Sequence, residues 1–395
     1  MIKSIILLFS GLLFSTYGYS QQMFTEADAV GMALKNSRNI SAATLYILQQ
    51  KQLLKGSINL PNPEVFIESP TGNFYTGSIT QSTEFPTVYR KQYQLQKQRI
   101  VLAEKEKGLS ENEVKFQVKQ LYLTLQYATA VYQQLYVQDT VYERISNAAR
   151  RQFEAGQIDY LQKVLTESQY GEIHNQYLQA QLSISNLQSQ LQYLAGLPQP
   201  LMVEPLNTNP VTDVTITNDT TAFTANPSVQ ILDQSGIIAQ KNIDLQKAKA
   251  LPGLAVGYFN QGERNTPVGN RFRVGFTLPL WYSQYKSNIT ASKTDWEISK
   301  QKLSGLRQQL SLQAIQAQNE LAIYSQSLTY YQTAGVKKAT EIIVTAKRFF
   351  ESGEYDYINY LRNINDAYTI QLKYLEAIKN YGQAKLSIKY LTGTL

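Results

Sequence analysis

The chain has 395 residues, of which 43% are hydrophobic and 17% charged, and its formal net charge is +7. This composition excludes a disordered chain, and the absence of cysteine beside a single histidine excludes a disulfide framework or a Cys/His metal site within one chain. The lysines and arginines are scattered, so the basic charge indicates solvated helix surface and no nucleic-acid partner.

Residues 1–20 have the pattern of a secretory signal peptide. Lys3 supplies a positive charge, a short apolar run follows it, and small residues stand at Gly18 and Ser20. A transmembrane anchor is the alternative, but a spanning helix needs about 20 apolar residues. We expect removal of this segment on export. Membrane attachment would then require β-strands closed into a barrel, because no later stretch predicts a spanning helix and no cysteine can carry lipid.

Residues 21–198 predict a helix, a β-hairpin over 62–86 and a long helical hairpin that turns near residue 156. Prolines bracket the β segment, where they convert helix to strand and back. Residues 89–153 contain no proline, and a helix of that length would reach about 100 Å at 1.5 Å per residue.

Apolar residues in this long helix recur in alternating steps of four and three, which is the period of a left-handed coiled coil. The series is Val114, Val118, Leu121, Leu125, Ala128, Tyr132 and Leu135. Similar series cover residues 173–194 and 357–375. A fibrous coiled-coil dimer is the alternative, but the signal peptide and the β segments argue against it.

Residues 199–224 are rich in proline and threonine and predict a linker. Residues 225–395 then predict a second copy of the first unit, with a β-hairpin over 252–280 and a helical hairpin turning near residue 353. The match is clearest between residues 151–161 and 348–358, where Phe, Glu, Gly, Asp and Tyr recur at one fixed offset.

The β segments alternate apolar and polar residues, as strands with one apolar face do. Strands of about 9–11 residues would cross a bilayer. Four strands cannot close a barrel, whereas three chains would supply twelve. A soluble hairpin pair on a helical body is the alternative. In a shared barrel, the residues expected to face the lumen are Glu64, Glu68, Arg271 and Arg273.

These features together resemble the TolC family of outer-membrane efflux proteins across the whole mature chain. The resemblance rests on the duplicated plan, on Pro86 and Pro279 at the strand-to-helix changes, and on two copies of a turn signature, Phe153–Leu165 and Phe350–Leu361. It implies a mainly α fold with a small β part, in which three chains share a 12-stranded β-barrel and a long coiled-coil α-barrel.

The same resemblance implies the location and the partners. The homotrimer would lie in the outer-membrane lipid of a Gram-negative bacterium, with a long periplasmic part. It would dock to a periplasmic adaptor, or membrane fusion protein, and to an inner-membrane RND pump. The sequence Gly-Glu-Tyr-Asp-Tyr, which begins at Gly353, is similar to that of heavy-metal-resistance members of the Cus/Czc type. Heavy-metal cations are therefore the expected substrate. Multidrug efflux and type I secretion remain alternatives, as does a periplasmic coiled-coil adaptor without a barrel.

By resemblance, the turns at Ala155–Asp159 and Ser352–Asp356 form a periplasmic tip where the channel narrows. A ring of carboxylates there would attract cations, and arginines would form ion pairs between chains that gate the pore or contact the adaptor. Alternatively, these residues cap helices and keep the tip soluble. The candidate residues are Arg151, Glu154, Gly156, Asp159, Arg348, Glu351, Gly353, Glu354 and Asp356.

The remaining chemistry is sparse. His174 lies on a polar helix face without a neighbouring ligand in sequence. A trimer could bring three copies of it together, but we expect no metal site there because no other ligand supports one. There is no phosphate-binding glycine loop and no nucleophile elbow. We therefore expect no enzyme activity, no resident metal and no cofactor.

Overall fold

The computed structural model describes most of the chain after the expected signal peptide, which lies outside the described residues. The described ranges are 23–69, 72, 75–197, 202–209, 223–260, 267 and 271–395. The helices are α1 Glu26–Asn36, α2 Arg38–Lys55, α3 Pro86–Glu154, α4 Tyr160–Ala195, α5 Pro227–Lys249, α6 Tyr282–Tyr330, α7 Val336–Glu351 and α8 Tyr357–Thr392. The strands are β1 Met23–Phe24, β2 Glu64–Glu68, β3 Thr76–Thr83, β4 Met202–Val203, β5 Gly253–Phe259 and β6 Phe272–Thr277.

Helix α3 is 69 residues long and therefore extends for about 100 Å. It begins with Pro86 at its first turn, where a missing N–H costs nothing. The predicted coiled-coil positions Val118 and Leu125 are fully buried, where they pack with residues of α1 and α4. The periodicity of the sequence thus identified the face of α3 that packs against its neighbours.

The corresponding helix of the second half is not continuous. Helix α6 passes into a π-helical turn at Tyr331–Gly335 before α7 continues the same rod. The three segments have 49, 5 and 16 residues, which is one residue more than α3. A single extra residue in a helix is accommodated by such a π turn. The sequence analysis expected an unbroken helix here and missed this feature.

Strands β2, β3, β5 and β6 form an antiparallel sheet in that order, so β2 and β6 are its two edges. The register divides the side chains between two faces. One face is apolar and consists mainly of Val65, Ile67, Ile79, Leu254, Val256, Tyr258, Phe272, Val274 and Phe276. The other is mainly polar or small, with Phe66 and Phe259 as exceptions, and includes Glu64, Glu68, Ser78, Thr80, Ser82, Gly257, Arg273 and Thr277.

Three details differ from the expectations. The strands are five to eight residues long, shorter than the expected nine to eleven. Helix α6 begins three residues after Pro279, since Leu280 donates its N–H to Leu278 O and turns the chain first. The expected linker also contains a strand, because β4 pairs in parallel with β1.

Two tyrosines on α3 are both buried but have different surroundings. Tyr122 donates its hydroxyl to Phe24 O at 2.7 Å and accepts from Glu204 N at 3.0 Å, so it joins β1 to the segment after β4. Within the described ranges, the Tyr142 hydroxyl is buried without a hydrogen-bond partner. Burial raises the pKa of both phenols.

None of the helices in the described ranges is both long and apolar enough to cross a membrane.

We predict opposite effects of removing these two hydroxyls. Tyr122→Phe leaves a backbone N–H without its acceptor and should lower the free energy of unfolding by about 1–3 kcal/mol. Tyr142→Phe removes a buried polar atom that makes no bond and should leave stability unchanged or higher. Thermal midpoints of the purified variants measure both effects, and equal losses in the two variants would contradict this account.

Candidate functional site

The first hairpin turn joins α3 to α4. Gly156 has a positive φ of 70°, and its N–H donates to Phe153 O at 2.9 Å while Gln157 N–H donates to Gln152 O at 2.8 Å. This pair of bonds satisfies the last carbonyls of α3 in a Schellman motif, which favours glycine. Asp159 then caps α4, since its Oδ1 accepts from Gln162 N at 2.8 Å.

The second turn joins α7 to α8 and repeats this geometry. Gly353 has a φ of 80°, and its N–H donates to Phe350 O at 3.2 Å. Asp356 caps α8, with its Oδ1 accepting from Asn359 N at 2.8 Å. The capping role considered for both aspartates is therefore present in the structure.

The two turns lie at the same end of the molecule because α3, α4, α7 and α8 share one hydrophobic cluster there. The cluster includes Tyr142, Ile173, Ala346 and Leu361. Ile158 of the first turn and Phe350 beside the second both pack against it. The structure thus brings the two signatures together although they are far apart in sequence.

Aromatic rings contact one another at this end, and sequence reasoning did not predict these contacts. Phe350 stacks on Tyr360 with ring centroids 4.6 Å apart and lies edge-on to Tyr357 at 4.9 Å. Phe153 contacts Tyr160 at 5.9 Å across the first turn. The rings recur three or more positions on either side of each glycine, and that spacing could have predicted their contact.

The charged residues of the turns are exposed and sparsely paired. Glu351 lies 3.7 Å from Lys347, and Glu354 accepts a hydrogen bond from Ser352 Oγ at 3.2 Å. Within the part of the chain that the structure describes, Arg151 and Arg348 form no ion pair with a carboxylate. Both residues are exposed.

Three of the four predicted lumen residues lie on the polar face of the sheet, at its two edges. Glu64 and Glu68 lie on edge strand β2, whereas Arg273 lies on the opposite edge strand β6. The Arg273 guanidinium stacks 3.6 Å from the Phe259 ring centroid. Arg271 precedes β6 and donates to Asn260 Oδ1 at 2.8 Å. The two edges of this face thus carry opposite charges.

His174 has a partner that the sequence analysis did not identify. Its Nδ1 lies 3.0 Å from Asp139 Oδ1 on α3, and the rings of Tyr170 and Tyr177 flank it. No group of three potential metal ligands occurs among the described residues. The histidine therefore joins α3 to α4 through a single polar contact.

Comparison with solved structures identifies the class of fold, whereas no sequence family and no curated relative matches the chain. The chain is similar to CusC, a structure described for transmembrane channel formation, with a TM-score of 0.77 at 14% identity over 93% of this chain and 92% of that one. It is similar to the CmeC outer membrane channel of Campylobacter jejuni, with a TM-score of 0.75 at 15% identity over 93% of this chain and 85% of that one. It is also similar to the outer membrane protein VceC of Vibrio cholerae, with a TM-score of 0.73 at 11% identity over 93% of this chain and 96% of that one.

The chain therefore has the TolC-like channel fold that the sequence predicted. The TM-scores and identities are similar for all three structures, so they do not distinguish a heavy-metal branch from the others.

We predict that Asp159 and Asp356 stabilise their helices by capping and that the negative charge is dispensable for this role. Asp159→Ala should lower the free energy of unfolding by about 0.5–2 kcal/mol, whereas Asp159→Asn should preserve it because asparagine caps as well as aspartate. The same pair of changes at Asp356 is a replicate. Thermal midpoints and hydrogen exchange at the start of α4 and α8 measure the effect, and a loss in the Asn variants equal to that in the Ala variants would show that charge matters instead.

Proposed function

We propose that three copies of this chain form a passive exit duct in the outer membrane of a Gram-negative bacterium. The duct receives substrate from a periplasmic adaptor and an inner-membrane RND pump, which supply the energy. The chain performs no catalysis and needs no cofactor. The observation that carries this proposal is the four-stranded sheet with two exposed faces and two unpaired edges.

The apolar face of the sheet is the first support. Val65, Ile67, Val274 and Phe276 on this face are exposed in the single chain. Water disfavours such a surface, whereas hydrocarbon accepts it. The polar face would then line an aqueous lumen, as expected for a barrel of alternating strands.

The two edges are the second support. Edge strands β2 and β6 each expose backbone groups that hydrocarbon cannot satisfy. Twelve strands from three four-stranded sheets would close without an edge. Glu64 and Glu68 on one edge would approach Arg273 on the edge of the next chain, so the charges at the seam are complementary.

The helical part is the third support. Helix α3 and the rod of α6 and α7 both extend about 100 Å from the sheet, much further than a compact domain needs. We interpret residues 21–198 and 225–395 as repeats of one unit joined by the linker 199–224. Six long helical hairpins from three chains would then continue the lumen through the periplasm.

The seam between chains can be tested directly, because the chain contains no cysteine. Within one chain β2 and β6 are separated by β3 and β5, so their backbones lie about 14 Å apart. A disulfide requires Cα atoms within about 7 Å. We predict that Val65→Cys combined with a cysteine at Phe272, Val274 or Phe276 forms covalent dimers and trimers after oxidation in outer membranes, with one partner position giving the highest yield.

Each single-cysteine variant is the matched control and should yield no covalent trimer. A detergent-extracted trimer measured by mass supports the same conclusion independently. A soluble monomer or dimer without cross-links would favour the alternative of a periplasmic coiled-coil protein and would overturn the duct.

The hairpin turns are our proposed entrance to the duct. Their exposed carboxylates, Glu154, Asp159, Glu351, Glu354 and Asp356, would form a ring that attracts cations. Arg151 and Arg348, which form no ion pair with a carboxylate among the described residues, would pair with a neighbouring chain or the adaptor. Gly156 and Gly353 hold the turns that present these groups. In the Asn variants described above, planar-bilayer recordings should show a lower preference for cations at unchanged stability.

Heavy-metal cations are the substrate class we propose, on the basis of the carboxylates at the hairpin turns and the sequence around Gly353. Multidrug efflux and type I secretion are the other candidates. In a strain lacking the gene, we predict loss of growth on copper, silver or zinc salts, restored by the wild-type chain. Loss of growth on dyes and detergents with normal metal tolerance would favour drug efflux instead, while leaving the duct itself intact.

A further inference from the structure

Two methionines that are far apart in sequence lie side by side where β1 meets the linker. Strands β1 and β4 pair in parallel, and Met23 and Met202 are partners in their register. The Tyr122 hydroxyl holds the two segments together, because it donates to Phe24 O at 2.7 Å and accepts from Glu204 N at 3.0 Å. The two methionines are therefore fixed as neighbours by the tertiary structure.

The methionine side chains point away from the core. The other register pair, Phe24 and Val203, packs against the hydrophobic cluster formed by α1, α3 and α4. Because successive side chains of a strand alternate between its two sides, Met23 and Met202 project from the opposite side of the pair. They are 57% and 37% exposed. Packing of the core therefore does not account for methionine at both positions.

Methionine is rare in this chain, which contains four. Met1 belongs to the expected signal peptide. Met32 on α1 is half-buried and packs against the same hydrophobic cluster. The other two methionines are the register partners, so both exposed methionines of the described chain lie at one point.

The surroundings of the strand pair carry negative charge. Burial raises the pKa of the Tyr122 phenol, and the charges of three nearby carboxylates raise it further, those of Glu204, Glu26 and Asp28. Lys119 offsets part of this charge, since its Nζ lies 2.9 Å from Glu26 Oε1. The excess of carboxylates favours a cation at this place.

We propose that Met23 and Met202 bind a soft monovalent cation, Ag⁺ or Cu⁺, between their sulfur atoms. Thioether sulfur prefers such ions to hard cations. Two metal–sulfur bonds in line span about 4.6 Å, if each is about 2.3 Å long as zinc–sulfur bonds are. Neighbouring strands lie about 4.8 Å apart, and the three rotatable bonds of methionine allow the remaining adjustment.

The inference rests on the proposed function for the source of the ion, and it narrows the heavy-metal cargo to soft monovalent cations. Tyr122 lies about 50 Å along α3 from the turn at Gly156, at 1.5 Å per residue. The methionine pair is therefore separate from the carboxylates at the hairpin turns. Binding of the ion can be measured whether or not the chain forms a duct.

Equilibrium dialysis of the mature chain in detergent against Ag⁺ tests the site, in a nitrate buffer without chloride. We expect one Ag⁺ per chain. Met23→Leu and Met202→Leu should each weaken binding more than about tenfold, because the loss of even a supporting group around a metal commonly costs that much. Met32→Leu is the matched control and should bind as the wild type does, since leucine replaces methionine with little change in volume.

A second measurement needs no variant. A sulfur atom that coordinates Ag⁺ has a lone pair less available to an oxidant, so bound Ag⁺ should slow the conversion of Met23 and Met202 to sulfoxide by hydrogen peroxide. Oxidation of Met32 should proceed at the same rate with and without Ag⁺. Mass spectrometry of the peptides measures each methionine separately.

A wild-type chain that binds no Ag⁺, or variants at Met23 and Met202 that bind it unchanged, would overturn the site, while cross-linked trimers would still support the duct. An equal loss in Met32→Leu would also overturn it, because the effect would then arise from core packing. Binding that depends on both exposed methionines in a chain that forms no trimer would support the site and contradict the duct.

Discussion

The unpaired edges of the four-stranded sheet are the constraint on which the rest of the structure depends. Among the described residues, strands β2 and β6 each pair on one side only, so they present unpaired backbone donors and acceptors on the other side. Their apolar face cannot remain in water, and their edges cannot remain open in hydrocarbon. Joining three sheets would satisfy both demands at once, and it would also bring six helical hairpins into a ring. The oligomer and the helical duct would then follow from the hydrogen-bonding needs of a few short strands.

The two halves meet this constraint with the same elements but with different details. Pro86 begins α3 directly, and the residues after it are buried. Pro279 is followed by a further turn before α6, and the residues there are exposed. The second half also contains the π turn at Tyr331–Gly335, where Gln332 donates a hydrogen bond to Thr208 O of the linker, and Tyr374 of α8 donates to the same oxygen. The two strand-to-helix junctions therefore give unequal surfaces, which the proposed three-fold assembly would repeat in alternation.

The turn residues illustrate how one side chain can serve both structure and function. Asp159 and Asp356 cap α4 and α8, and the glycines before them complete the preceding helices. Their presence in both signatures is thus explained by helix geometry alone. Arg151 and Arg348 are different, because neither has a carboxylate partner among the described residues. A role in contacts between chains is supported more strongly by the arginines than by the aspartates.

Much of the fold could be predicted from local pattern. The four-three spacing of Val118 and Leu125 predicted the packed face of α3, and the alternation along β6 predicted its apolar face, because both periods follow from backbone geometry. Proline and glycine likewise marked where helices start and turn. These signals are contained within a few consecutive residues, so they can be recognised without the tertiary structure.

The features that were missed depend on contacts between distant residues. The pairing of β1 with β4, the bonds of Tyr122 to Phe24 and Glu204, and the approach of His174 to Asp139 each join separate elements. The π turn arises from a one-residue difference in length between two rods, which no local pattern reveals. Periodicity determines which face of an element is apolar, whereas only packing of the whole chain decides which element covers that face and which residues, such as Trp281, remain exposed.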